Sequence, residues 1–530
     1  MKHVAPACSA LIASLCVSSV IHAQVAPGAA AEQSFDVFEL RVLGNSVLGN
    51  AQIERAITPF LGPKKSLADV EAARTALETA YKDAGYATVF VDIPEQDVSA
   101  DGVVRLQVTE GRLDRIRITG ARYYSNGQLR AVLPALEAGD VPHLPRVQRE
   151  LEVANRQSRD RVITPVLRAG RTPGTVDVEL KVEDSLPVHA AAEVNNRYTA
   201  DTSQTRASVN LSYDNLWQQF HSLSLQYQTA PQEPEEARVI AATYVAPITT
   251  SGQTLAVYAV DTNSDVSTIG ALSVLGAGRI YGARYILPVP QIGSVYSSVN
   301  LGFDYKDFKE SIALPDTSDT DDTPIEYATW SVTYAGGARG ERSNSGFSLA
   351  ANFGMRGVFN DPEEFGYKRY HARPNFFYLR GSGEHEQQIF WGTRLYARVA
   401  AQYSVDPLIS NEQFSIGGAD SVRGYLESEA LGDHGASASL EWRTPSFAQW
   451  SNGFVSELFV FAFFDAGTVA ILDPLPDQQD HFELTSTGLG LRMNAFGGLL
   501  LALDGAYTLR ATDRTEAYDT RVLFQVRYGF

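Results

Sequence analysis

Residues 298–305 read Ser-Val-Asn-Leu-Gly-Phe-Asp-Tyr, so that Val299, Leu301, Phe303 and Tyr305 alternate without a break with Ser298, Asn300, Gly302 and Asp304. Successive side chains of a strand point to opposite faces. This strand therefore carries one apolar face and one polar, partly charged face. The pattern recurs on both sides of it. Val209, Leu211 and Tyr213 alternate with Ser208, Asn210 and Ser212, and Leu223, Leu225 and Tyr227 with Ser222, Ser224 and Gln226. Further on, Phe347, Leu349, Ala351 and Phe353 alternate with Ser348, Asn352 and Gly354, and Leu395, Val399 and Tyr403 with Arg394, Arg398 and Gln402. Soluble sheets use strands of about five or six residues. These runs extend toward the roughly 9–11 that a tilted strand needs to cross hydrocarbon.

Counting such runs from Val188 onward gives about sixteen strands. The connections supply an independent test, because an outer-membrane barrel has short periplasmic turns and long external loops. Those after odd-numbered strands are often long and acidic, as in PQEPEE (231–236), DTSDTDDT (316–323), NDPEE (360–364) and DPLPDQQD (473–480). Those after even-numbered strands are short, as in LPVPQIG (287–293) and NAFGG (494–498). The chain ends on Val522, Phe524, Val526, Tyr528 and Phe530, with Arg521, Gln525, Arg527 and Gly529 between them. That is a closing strand with a lipid face and a lumen face, and Phe530 reads as a C-terminal assembly signal for the barrel assembly machinery.

Upstream of Pro187 the periodicity is different. Residues 36–111 and 112–187 read as two copies of one small α+β unit, in the order strand, helix, helix, strand, strand. In the first, Phe38, Leu40 and Val42 suggest a strand, and Ile53, Ile57 and Phe60 a short helix. A longer helix is predicted from an N-cap at Ser66, with Asp69 three residues on and an apolar face of Leu67, Val70, Ala73, Leu77, Tyr81 and Ala84. Gly85 stops it. In the second, Leu129, Val132, Leu133 and Leu136 suggest one helix, and Leu144, Val147, Leu151 and Ala154 another. After Pro187 no helical periodicity is expected. Residues 1–23 read as a secretory signal, with Lys2 and His3 before an apolar run and Ala23 at the cleavage point. Residues 24–35 form a short linker without an amphipathic stripe.

Composition narrows the function. The formal net charge of −18 argues against nucleic acid, which requires a basic surface. Both cysteines, Cys8 and Cys16, fall in the leader. The mature chain then has no disulfide, thiolate metal site or thiol nucleophile. There is no GxSxG elbow and no phosphate-binding GxxxxGK. His385-Glu386 begins like a zinc motif, but Ile389 stands where its second histidine belongs, and the pair is placed in a periplasmic turn. Asp319, Asp321 and Asp322 read as a solvated loop rather than a calcium site. Neither enzyme activity, cofactor nor metal is expected.

Two motifs sharpen the expectation. GGADSVRGYLE, residues 417–427, has Val422-Arg423-Gly424-Tyr425 at its centre and falls between the eleventh and twelfth strands. FFDAG, Phe463 to Gly467, lies toward the end of the thirteenth. Together with DNLWQQFHSLSLQYQTAP, Asp214 to Pro231, they resemble the paired motifs of barrels that carry polypeptide-transport-associated (POTRA) modules. Within that superfamily the chain is similar to the TpsB transporters of two-partner secretion, the haemolysin and filamentous-haemagglutinin exporters. The resemblance implies a mainly β protein: a 16-stranded antiparallel transmembrane β-barrel (188–530) preceded by two POTRA-like domains. It implies that the loop bearing Arg423 folds into the lumen and pairs with Asp465 of the wall motif Phe463, Asp465, Gly467. It also implies a Gram-negative outer-membrane location with residues 24–187 in the periplasm. There the modules would bind a secreted TpsA-like exoprotein, which would cross the barrel extended. A lumen rich in Arg, Gln and Ser would solvate that extended backbone. Members that begin with a plug helix differ from this chain, onto which no plug is carried over. The alternatives are a BamA-type assembly factor, which carries more modules, and a passive porin, which has no use for them.

Overall fold

The computed structural model describes residues 34–97, 101–200, 202–234, 236–248, 252–263, 266–269, 272–309, 311–313, 320–476 and 478–530. The expected leader, almost all of the linker, Asp319 and the side chains of Asp321 and Asp322 lie outside them. The chain divides into two compact units. One comprises residues up to 117 with 135–148 and 167–178; the other comprises 118–134, 149–166 and 179–530.

In the first unit, strand Glu39–Leu43 runs parallel to Val103–Glu110, which pairs antiparallel with Val89–Asp92. Helices Asn50–Ile57 and Leu67–Asp83 belong to the same core. The second helix begins as its sequence dictates. The Ser66 hydroxyl accepts from Asp69 N, and the Asp69 carboxylate accepts from Ser66 N at 2.8 Å. Those bonds from Ser66 hold the Asp69 carboxyl below its ordinary range. The predicted apolar face is the buried one, through Val70, Ala73, Leu77 and Tyr81. Tyr81 donates its hydroxyl to Asn45 Oδ1 at 2.7 Å, and burial pushes that phenol up to about 12. A two-stranded sheet, Phe35–Val37 with Gly62–Lys65, was not anticipated; its strands are too short to show a period. Residues 112–184 carry the elements in the expected order: strand 112–119, helices Asn126–Ala131 and Leu144–Gln157, then strands Arg161–Ala169 and Thr175–Asp184. The helix at 126–131 ends before Val132, Leu133 and Leu136, although their spacing predicts that it continues.

Sixteen antiparallel strands close into a barrel, with the first paired to the last. In chain order they are Val188–Asn195, Arg206–Leu216, His221–Thr229, Val239–Pro247, Thr254–Thr262, Gly278–Ile292, Val295–Phe308, Ile325–Arg339, Ser343–Gly354, Phe377–Gln388, Arg394–Ser404, His434–Arg443, Val455–Ala470, His481–Ala495, Leu499–Thr508 and Thr520–Gly529. They are called barrel strands 1 to 16 below. The connections keep the parity that the sequence predicts. After odd strands they reach 355–376 and 405–433, and after even strands they shrink to 217–220 or 340–342. Alternation sets the faces. Leu395, Val399 and Tyr403 are exposed where lipid would lie, while Gln402 between them is buried. The last strand follows suit: Val522, Val526 and Tyr528 face outward, and Gln525 and Arg527 line a lumen cavity.

Three further expectations fail. LPVPQIG is not a turn: barrel strand 6 runs through Ile292, absorbing Pro288 and Pro290 near a register shift, and the turn is only residues 293–294. His385 and Glu386 lie within barrel strand 10, not in a turn. A helix does occur after Pro187, at Pro362–Lys368 in an external loop. Asp361 caps it by accepting from Glu363 N, and Pro362 presets its first turn, a local start signal that strand periodicity cannot reveal.

Leu489 stands near the middle of barrel strand 14 and is 70% exposed on the outer face. Leu489→Arg should cost about 2–4 kcal/mol in reversible unfolding from lipid vesicles. Gln525→Arg on the lumen face should change stability by no more than about 0.5 kcal/mol.

Candidate functional site

Strand alternation explains the spacing of the wall motif. On barrel strand 13, Phe461, Phe463 and Asp465 face the lumen and are buried, whereas Val460 and Phe464 face outward. Barrel strand 12 pairs beside it, with Ser439 opposite Asp465 and Glu441 opposite Phe463. Leu440 and Trp442 are exposed outside, so Ser439, Glu441 and Arg443 point in.

The sixth external loop, 405–433, folds back into this wall and brings the two motifs together. Arg423 Nε donates to Asp465 Oδ2 at 2.7 Å and Nη2 to Asp465 Oδ1 at 2.8 Å, a bidentate grip. The Arg423 backbone N–H adds a third bond to Asp465 Oδ2. Nη1 donates to Glu441 Oε1 at 2.9 Å and Nη2 to Ser439 Oγ at 3.0 Å. The guanidinium also stacks on Phe463, 3.6 Å from ring centre to Cζ. Arg423 is 2% exposed and Asp465 fully buried. Breaking such a pair leaves an uncompensated buried charge, at a cost of about 3–5 kcal/mol. Each ~1.4 kcal/mol is tenfold in an equilibrium, so either truncation shifts the docked loop by a hundredfold or more.

The rest of each motif has an assigned place. Val422 is buried against Ile416, Val469 and Leu484. A side chain at Gly467 would put its Cβ 2.9 Å from Val422 Cγ2, so the glycine of the wall motif makes room for the valine of the loop motif. Gly424 has φ +96°, and a Cβ there would lie 3.1 Å from Thr508 Cγ2. Tyr425 donates its hydroxyl at the outer ends of barrel strands 14 and 15, to Thr485 O and Arg510 O. Phe530 pairs through its backbone with Ala190 and leaves its ring 74% exposed.

Sequence reasoning missed several partners. Glu441 links Arg423 to a ladder of alternating charge: Glu441 Oε2 accepts from Arg443, whose Nη1 reaches Glu386 Oε2 at 2.6 Å. Arg394 then bridges Glu386 and Glu457. Asp420 near the loop tip accepts both Nη groups of Arg197, just past barrel strand 1. At the external end the lumen is apolar rather than polar. Ile280, Phe308, Tyr327 and Tyr378 point inward and pack on Phe365, Leu408 and Ile409 from the fifth and sixth loops. Glu412 is buried in this cap, accepting from Tyr327 and Tyr378 hydroxyls at 2.6 and 2.7 Å and pairing with Lys306. Asp433 accepts from both Nη groups of Arg369 at 2.8 Å, and from Leu408 N and Leu472 N, tying the fifth, sixth and seventh loops together.

The stretch DNLWQQF forms the tight turn after barrel strand 2. Trp217, Gln218 and Phe220 all have φ near +60°, rare for such residues and a mark of a turn held by its surroundings. What holds it are segments 118–134 and 149–166. Gln218 Oε1 accepts from Ser125 N, its Nε2 donates to Tyr123 O, and Asn215 Oδ1 accepts from Gln128 at 2.7 Å. The buried Arg161 guanidinium packs against the rings of both Tyr124 and Phe220, which also touch each other.

Trypsin reports loop docking directly, because Arg423 is itself a cleavage site. The wild-type barrel should resist cleavage after Arg423, and Asp465→Ala should be cut there, as read by fragment mass.

The family model described as haemolysin secretion/activation protein ShlB/FhaC/HecB matches residues 174–493, and a POTRA domain of ShlB type matches 35–111. The outer membrane transporter CdiB of Dickeya dadantii (strain 3937) is 27% identical over 183 residues, covering 34% of this chain and 32% of that protein. CdiB-2 of Burkholderia pseudomallei (strain 1026b) is 30% identical over 131 residues, covering 25% and 22%. The alignments therefore span about a third or less of those curated relatives. Among solved structures, CdiB from Escherichia coli superposes with TM-score 0.63 at 21% identity, covering 96% of this chain and 93% of that one. BamA from Haemophilus ducreyi lacking POTRA domains 1–3 gives 0.57 at 16%, covering 94% and 100%.

Proposed function

This chain belongs to the ShlB/FhaC/HecB family of haemolysin secretion/activation proteins, and from that premise we propose that it is an outer-membrane transporter of two-partner secretion, passing one large exoprotein out of the cell without a catalytic step of its own. The observation that carries this reading is a sixteen-stranded barrel whose lumen holds a docked VRGY loop on the same chain as a POTRA-type module. A porin has no use for either. A BamA-type assembly factor shares both, but the likeness in fold to BamA is no better than that to CdiB, and the family model that matches is of the haemolysin secretion type.

The N-terminal modules lie in the periplasm. The short turn Trp217–Phe220 is held by Tyr123 and Ser125 of the 118–134 segment. In the periplasm the modules would take up the exoprotein in extended form. The edge strand Val89–Asp92, with Phe90 exposed, offers backbone groups and one aromatic contact for an added strand. The lumen cavity lined by Glu193, Asn195, Arg206, Gln226, Gln228 and Arg527 would solvate an extended backbone. The periplasm supplies no ATP, so direction comes from folding of the cargo outside. Lipid on the outer face and the assembly machinery at the strand bearing Phe530 complete the set of partners.

The apolar cap over the external lumen closes the resting pore in this reading. Arg369→Ala leaves Asp433 unpaired, so it should raise single-channel conductance in planar bilayers several-fold and make cells sensitive to antibiotics too large for an intact outer membrane. Unchanged conductance from an assembled barrel would place the seal elsewhere. The transport reading itself is tested by co-expression with candidate exoproteins and assay of the medium. Deletion of residues 36–184 should abolish export while leaving heat-modifiable barrel in the membrane. Export that survives the deletion would remove the modules from the mechanism.

A further inference from the structure

Asp160, His189 and Asp214 meet beside the periplasmic ends of the first two barrel strands. Each comes from a different segment: the bend before strand Arg161–Ala169, barrel strand 1 and barrel strand 2. Their ligand atoms lie within 4.8 Å of one another. His189 Nε2 is 2.9 Å from Asp160 Oδ2 and 3.5 Å from Asp214 Oδ2. Zinc with bonds of ~2.0–2.1 Å and tetrahedral angles sets neighbouring ligand atoms about 3.3 Å apart, between those two distances. The side chains are largely withdrawn from water, at 5%, 17% and 29% exposure. Their backbones are fixed as well: Ser185 N donates to Asp160 O, and Asp214 N to Pro187 O.

In the arrangement seen, His189 Nε2 faces an arginine donor and a carboxylate together. Arg159 Nε approaches His189 Nε2 at 3.2 Å, and its Nη2 approaches Asp214 Oδ2 at 3.3 Å. A neutral imidazole nitrogen is either donor or acceptor. If Nε2 carries hydrogen it donates to Asp160 but confronts the Arg159 N–H. If it does not, it accepts from Arg159 but turns its lone pair toward the Asp160 carboxylate. A divalent cation at the centre removes the conflict, since one lone pair and two carboxylates all face it. Arg159 is 65% exposed and free to swing into water.

We propose that Asp160, His189 and Asp214 bind a divalent metal ion of the zinc class, with a fourth position open to water and Arg159 as the cation that the metal displaces. Bound metal would rivet the 158–160 segment to the two strands that open the barrel. This rests on local geometry and is independent of the transport reading.

The test uses the tag-free mature protein in detergent, stripped with chelator and checked for heat-modifiable migration. Zn2+ titrated by calorimetry should show one saturable equivalent, and Co2+ should give the intense visible band of a tetrahedral site. His189→Gln and Asp160→Asn should each weaken binding by more than the roughly ten- to hundredfold that loss of an outer-shell partner causes. Arg159→Gln should bind as tightly as wild type or more tightly. No saturable equivalent in the wild type overturns the proposal, as does His189→Gln binding unchanged. So does Arg159→Gln weakening binding as much as His189→Gln, which would make the cluster an ion-pair network only. Should the ligand variants fail to assemble, X-ray absorption of wild-type protein loaded with Zn2+ decides: one imidazole with oxygen ligands supports the site, and an all-oxygen shell refutes it.

Discussion

A guanidinium withdrawn from water inside a barrel is stable only where its charge and its donors are met together. For Arg423 the wall meets them with Asp465 on Nε and Nη2, Glu441 on Nη1, Ser439 sharing Nη2, and the face of Phe463 beneath. The sixth loop cannot slide along the lumen without giving up all of these at once. The position of Val422 under Gly467 and of Tyr425 at the tops of barrel strands 14 and 15 follows from that single anchor. Glu441 carries the arrangement further, because its second oxygen is held by Arg443 and so couples the loop to charges running down the wall.

The same loop contributes to two environments. Near its tip it sits among charges, with Asp420 on Arg197. At its stem, Leu408 and Ile409 join an apolar layer, and Glu412 is buried among tyrosine hydroxyls. A conduit for an extended chain needs a wetted wall, and a barrel at rest needs to hold back solutes. Placing the polar surface along the wall and the apolar surface under the external loops separates the two requirements in space. In the transport reading proposed above, opening the cap would move loops rather than strands, and the largely buried Arg369–Asp433 pair is where three of them meet.

Much of this was legible in the sequence because strand geometry is periodic. Alternation gave the strand runs and their faces, loop length gave the parity, and the resemblance of two short motifs brought Arg423 and Asp465 together. Glu441 was legible in principle: Leu440 and Trp442 demand an outward face, which turns their neighbours inward. The rest lay in contacts with no local signature. Glu412, Arg369 and Asp433 sit in loops whose partners are fixed only when the barrel closes. Inward Phe308 and Tyr327 belong to the apolar cap, and a rule of polar interiors hides them. The prolines of LPVPQIG signal a turn, yet the strand absorbs them near its register shift. Asp160, His189 and Asp214 are far apart in the chain and meet only through the fold.

Transport depends, in the proposed function, on the two motifs acting as one unit. Secretion of a co-expressed exoprotein by Arg423→Ala, Asp465→Ala and the double variant, each at wild-type barrel abundance, measures this through their coupling. The account predicts that each single change lowers export and that the double variant is no worse than either. Independent losses that multiply in the double variant, or normal secretion by Arg423→Ala, would contradict it.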